Sequence, residues 1–121
     1  MATTRPPAPR LGEIWLTAFG AARAGEPGKT RPALVLSANG QVSDSVYDLV
    51  MVAPLSATLE PTAARPRINA TAANGLDTDS VVVARALRAV STSRLVGRLG
   101  VAETAPLHAT RQVVAALLDL G

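Results

Sequence analysis

The chain has 121 residues, 48% of them apolar and 17% charged, with a net charge of +3; that is the length of one domain, and folding alone removes only about two-thirds of its extended surface from water. It has no cysteine and one histidine, His108, which excludes a disulfide scaffold, a thiolate zinc site, a cysteine nucleophile and a pair of imidazoles dividing acid and base work. No apolar run approaches the ~18 residues of a membrane span, residues 1–10 lack the apolar stretch of a signal peptide, and the absence of cysteine fits a reducing cytoplasm.

Residues 1–10 include Met-Ala-Thr-Thr-Arg-Pro-Pro-Ala-Pro, proline-rich and without periodicity, and are expected to form a disordered tail ahead of a single domain over residues 11–121. Residues 13–17 form a plausible first strand. Residues 20–30 are a Gly/Pro loop, and residues 32–37 an apolar strand opening at Pro32, where a missing N–H is tolerated. Asn39-Gly40 signals a turn. Residues 47–53 form a second apolar strand closed by Pro54, and a two-proline loop follows over residues 56–66. Residues 67–71 suggest a short strand, Asn74-Gly75 a turn, residues 80–84 a β-branched strand running on toward Val90, and residues 98–101 another short strand. The period then changes. Thr104 suits an N-cap, Pro106 the first turn, and Leu107, Val114, Leu117 and Leu118 share one helical face over residues 105–120. Short strands followed by one helix predict a mainly β domain, a small barrel or half-barrel capped by a C-terminal helix. There is no internal repeat.

The unusual chemistry lies in two loops. Gly25-Glu-Pro-Gly-Lys-Thr-Arg-Pro32 brings a carboxylate, an ammonium, a hydroxyl and a guanidinium together at the mouth of a strand. Pro32 biases Arg31 toward extended backbone, so its guanidinium starts from a rigid position, as charge developing on phosphorus requires. A hairpin loop with surface charges fits the spacing equally well. The glycines are too close for a phosphate P-loop, and a strand follows where a helix is needed. In Ala53-Pro-Leu-Ser-Ala-Thr58, Ser56 and Thr58 have hydroxyls able to donate to phosphate, although turn formation is their commoner role. The basic residues are eleven arginines and Lys29, consistent with a solvated surface or with a polyanion partner. Aromatic residues are 2% of the chain (Trp15, Phe19, Tyr47), too few for a multi-ring base-stacking sheet.

Four blocks then stand in order: Gly12-Glu-Ile-Trp15; Arg23-Ala-Gly-Glu-Pro-Gly-Lys-Thr-Arg-Pro-Ala-Leu-Val-Leu-Ser37; Val52-Ala-Pro-Leu-Ser56; and Gly75-Leu-Asp-Thr-Asp-Ser-Val-Val-Val83. Together they resemble the MazF/PemK toxins of type II toxin–antitoxin systems, over nearly all of residues 10–120. The resemblance implies an SH3-like barrel of the MazF/PemK/CcdB type, a homodimer, a groove for single-stranded RNA, and a cognate acidic antitoxin that folds along the toxin. It further implies metal-independent, cofactor-free endoribonuclease activity on mRNA, with tRNA and rRNA as other candidates. In that reaction the 2′-hydroxyl attacks phosphorus, leaving a 2′,3′-cyclic phosphate and a 5′-hydroxyl. Carried over by position, Arg31 is the essential arginine, Ser56 the partner hydroxyl and Glu26 the loop glutamate often proposed as base. Lys29, Thr30, Phe19 and Thr58 would line the groove, with Phe19 either stacking a base or packing the barrel.

Two positions depart from the family pattern. Ser56 stands where threonine is usual, and Arg85-Ala86 stand where many relatives carry an acidic residue and glutamine. Trp15 is expected in the core and His108 on the outer side of the helix. The competing readings are a CcdB-like barrel that binds DNA gyrase without catalysis, argued against by the Arg31/Ser56 pair, and an inactive barrel that only binds RNA or antitoxin.

Overall fold

The computed structural model describes residues 8–20, 29–43, 45, 48–60 and 62–120. Seven strands are formed: β1 (Glu13–Ala18), β2 (Thr30–Val35), β3 (Leu49–Ser56), β4 (Arg67–Ile68), β5 (Ser80–Val82), β6 (Arg88–Ser91) and β7 (Leu95–Val101). The helix α1 (Thr104–Leu117) follows. Every pairing is antiparallel, in the order β4-β5-β3-β2-β1-β7, with β6 on β3. The sheet curls into a half-barrel with α1 after its last strand, the mainly β architecture expected. Among the described residues no helix is long and apolar enough to cross a membrane.

Ile14-Trp15 of β1, residues 33–35 of β2 and residues 52–55 of β3 are apolar without alternation because both faces of the sheet are buried there. Side chains alternate across a strand, and here successive residues enter two different cores. Ile14, Leu34, Ala53 and Leu55 join Ile68, Leu76 and Val82 in one cluster. Their neighbours Trp15, Ala33, Val35, Val50 and Val52 join Phe19, Val42 and Val90 in the other. Trp15 is thus a core residue, as expected.

β3 is the spine of the sheet. One edge pairs with β2; the other pairs first with β6 through residues 49–52 and then with β5 through residues 55–56. Pro54, expected to end the strand, lies inside it. It sits in the gap between those two partners, where its missing N–H breaks no ladder, and its carbonyl accepts from Val83 N–H at 2.9 Å. The strand expected from residue 80 toward 90 is also interrupted. A 3₁₀ turn at Ala84–Ala86 separates β5 from β6 and lets the chain pass from one stretch of β3 to the other. β7 begins at Leu95, three residues earlier than expected, and follows β1 through two register shifts.

α1 starts one residue earlier and ends three residues sooner than its periodicity indicates. Glu103, not Thr104, occupies the N-cap position. At the other end Leu120 N–H donates to Ala115 O (2.8 Å) and Asp119 N–H to Ala116 O (3.2 Å), with Asp119 at φ 54°. This is a Schellman stop with aspartate in the left-handed position usually given to glycine. Of the expected apolar face, Leu107 packs on the core, whereas Leu117 and Leu118 are 43% and 57% exposed. His108 lies on the exposed side, as expected. Of the tail expected over residues 1–10, residues 1–7 lie outside the described residues; Pro9 is buried, and Arg10 N–H donates to Glu13 Oε1 at 2.7 Å.

Candidate functional site

β2 and β3 bring Arg31 and Ser56 to one place. Their ladder pairs Val35 with Val52, Leu34 with Ala53 and Ala33 with Pro54. Carried two residues further, that register sets Arg31 across from Ser56, as cross-strand neighbours. Across β2's other edge, Arg31 is held against Thr17 of β1. Both residues line a single cleft of about 770 Å³. Thr58 lies on the same cleft, just past the end of β3, where its N–H donates to Ser56 Oγ at 3.2 Å. Ser56 therefore shapes the turn and lines the cleft at once.

The opposite wall comes from residues 75–80. Asp77, Thr78 and Ser80 supply its polar groups and Leu76 an apolar one, while Leu55 of β3 and Leu99 of β7 add apolar lining to the same cleft. Two anchors fix this segment. At its start Asn74 is wholly buried; its Nδ2 donates to Asn69 O (2.7 Å) and Glu103 Oε1 (3.0 Å), and its Oδ1 accepts from the Thr71 and Leu76 N–H groups at 3.0 Å. At its end Asp79 accepts from Ala70 N–H (2.8 Å) and Arg67 Nη2 (3.0 Å), bonds that hold its carboxyl below the usual carboxylate range. Glycine permits the close approach behind the wall: a Cβ on Gly75 would lie 2.1 Å from Leu99 O, and one on Gly100 2.2 Å from Ala73 O.

Of the other expected site residues, Lys29, Thr30 and Phe19 are not among those lining this cleft. Lys29 and Thr30 are exposed at the start of β2, with Lys29 at φ 63° and its carbonyl accepting from Phe19 N–H at 2.8 Å. Phe19 is 5% exposed and packs with Trp15 in the core, the Arg88 guanidinium 5.6 Å from its ring centroid. Its ring serves the barrel and is not offered to a base; the apolar area of the ring and the cation over its face account for that. Glu26 and Tyr47 lie outside the described residues. Arg85 is exposed on the 3₁₀ turn, and Arg94 Nη1 donates to Ala18 O at 3.2 Å. Asp77 and Thr78 were not singled out from the sequence. They stood inside the fourth block, and its position beside β3 is visible only once β5 is paired.

The cleft can therefore present a guanidinium and two hydroxyls to an anion along one wall, and a carboxylate and hydroxyls along the other. Comparison with known proteins agrees with the fold. The chain superposes on MazF of Deinococcus radiodurans with a TM-score of 0.73 at 24% identity, covering 93% of this chain and 97% of that one. An endoribonuclease solved with its cognate antitoxin from a mycobacterial species matches with a TM-score of 0.73 at 18% identity, over 94% and 98% of the two chains. The Mycobacterium tuberculosis toxin MazF-mt6 matches with a TM-score of 0.66 at 21% identity, over 90% and 98%. The profile of the PemK-like, MazF-like toxins of type II toxin–antitoxin systems matches residues 10–118, from the segment before β1 to the end of α1, and the chain belongs to that family.

Proposed function

We propose that this toxin is an endoribonuclease that cuts single-stranded RNA in the cleft between β2, β3 and the 75–80 wall. The observation that carries the reading is the meeting of Arg31 and Ser56 in one cleft, in a chain whose family is one of toxins and whose fold matches solved endoribonucleases. The 2′-hydroxyl attacks the adjacent phosphorus, its proton leaving to a base, the role assigned to Glu26; as the bond from phosphorus to the 5′-oxygen breaks, that oxygen takes up a proton from water. Charge accumulates on the non-bridging oxygens as the bond forms. The Arg31 guanidinium offsets that charge and Ser56 Oγ donates to one of the oxygens, fixed dipoles of the kind worth most at a site from which water is partly excluded. Arginine keeps its proton in proteins, so its contribution is electrostatic and not acid catalysis.

The partners follow from the same reading. A typical antitoxin segment is acidic and suits a chain of charge +3. Leu117, Leu118 and Leu120 at the end of α1, and Val96 and Val101 on β7, are exposed apolar residues, a surface that supports a homodimer and an apolar antitoxin contact.

Long RNA incubated with purified protein in EDTA tests the proposal. Fragments ending in 2′,3′-cyclic phosphate and 5′-hydroxyl support it. Intact RNA together with arrested DNA supercoiling supports the gyrase-binding alternative, and intact RNA that is nonetheless bound supports an inactive barrel.

A further inference from the structure

Asp77 is out of place in a cleft for a polyanion. Most other described carboxylates are engaged: Glu13 by Arg10 N–H, Trp15 and Arg98; Asp48 by the Ser43 and Leu49 N–H groups; Asp79 by Arg67 and Ala70; Glu103 by Thr71 and Asn74. Asp77 is exposed, lines the same cleft as Arg31 and Ser56, and among the described residues takes no hydrogen bond and no ion pair. Glu60 and Asp119, also without such bonds, lie outside the cleft.

A carboxylate repels phosphate and accepts hydrogen bonds without donating any. Its complement on an RNA strand is therefore a base edge rich in N–H groups, and single-stranded RNA is read through such edges. The four bases differ here. Guanine presents two adjacent donors, N1–H and N2–H, spaced to meet both carboxylate oxygens. Adenine and cytosine each set one amino donor beside a ring-nitrogen acceptor, which repels the second oxygen. Uracil has a single N3–H between two carbonyls. With Arg31 and Ser56 holding phosphate, a base turned toward Asp77 in the same cleft meets its carboxylate. We propose that Asp77 is a specificity-determining residue that selects guanine at the nucleotide seated in this cleft. This rests on the ribonuclease reading above.

The test is fragment-end sequencing of total RNA digested by the wild-type protein, Asp77→Ala and Asp77→Asn. Wild-type ends are expected to show guanine at one fixed position near the cut, favoured about tenfold to a hundredfold over other bases, as one bidentate contact provides. In Asp77→Ala that ratio should fall toward one. In Asp77→Asn, whose amide offers one acceptor and one donor, cuts at adenine and cytosine should rise. Because Asp77 takes no hydrogen bond or ion pair among the described residues, both variants should melt with the wild type, so that altered ends report recognition and not unfolding. RNA cut with no fixed guanine, or with an undiminished guanine preference in Asp77→Ala, overturns this inference and leaves the ribonuclease reading standing. RNA left intact by the wild type overturns both.

Discussion

Replacing Gly75 by alanine should loosen the wall of the cleft at a cost that can be worked out from its surroundings. Gly75 has φ +72°, where a side chain costs about 1–2 kcal/mol. The new Cβ would also sit 2.1 Å from Leu99 O and 2.7 Å from Leu99 C. These are backbone atoms of β7, which β1 holds from its other edge, so relief requires moving a strand and not a rotamer. Forcing a methyl group into such a contact costs about 1–3 kcal/mol, for a total of about 2–5 kcal/mol. That is a large part of the ~5–15 kcal/mol that stabilises a typical domain. At about 4 °C per kcal/mol for a chain of this size, the melting temperature should fall by roughly 8–20 °C. Gly100→Ala isolates the clash, since its Cβ would meet Ala73 O at 2.2 Å and Asn74 C at 2.6 Å; its loss should be about half as large. Gly97→Ala, with nothing within 4 Å of its Cβ, should leave the melting temperature unchanged or slightly raised, because alanine has less chain entropy to lose. Thermal melts followed by circular dichroism rank the three. A Gly75→Ala variant melting within about 2 °C of wild type, or no lower than Gly97→Ala, would refute the reasoning.

Three further outcomes are expected. Burial alone would raise the Glu13 pKa, but Arg10 N–H, Arg98 and Trp15 all donate to its carboxylate, and the balance holds it below the usual range. Its stabilisation is therefore complete above the carboxylate's unfolded pKa and lost as pH falls through the lower folded value, so urea midpoints should drop on the acid side, less steeply in Glu13→Gln. Ser56→Ala should slow RNA cutting by about 10²–10³-fold, the range for losing one positioned donor, whereas Ser56→Thr should keep most of the activity; equal rates in all three would remove the hydroxyl from the mechanism. RNA affinity should fall linearly with the logarithm of salt concentration, with a slope near 0.7 per phosphate contacted on a single strand, and a flat response would count against phosphate contacts in the cleft.

The two apolar strands were legible because two cores share one sheet, so that residues 33–35 of β2 and 52–55 of β3 are buried at both parities. What escaped sequence reading lies where pairing partners change. Pro54 reads as a stop when taken alone and is tolerated because β6 hands over to β5 beside it. The turn at Ala84–Ala86 is hidden inside a β-branched run for the same reason. Arg31 was legible as a cation at a strand mouth, because Pro32 constrains it locally. Its neighbour Ser56 was legible only as a hydroxyl able to donate to phosphate or form a turn; the resemblance paired it with Arg31, and the β2–β3 register explains their meeting. Phe19 shows the converse: the resemblance left base stacking and barrel packing open, and burial beside Trp15 favours packing. Asp77 could not be weighed from sequence at all, since only the folded cleft brings it together with Arg31 and Ser56.

The most direct measurement is single-turnover cleavage of a labelled RNA by wild type and Arg31→Ala, with RNA affinity and melting temperature recorded for both. If the guanidinium acts on charge that builds at phosphorus, the variant should fold, bind RNA with at most a modest loss and cut at least about 10³-fold more slowly, a barrier higher by roughly 4 kcal/mol. Cleavage by Arg31→Ala at the wild-type rate, giving the same fragment ends, would contradict it.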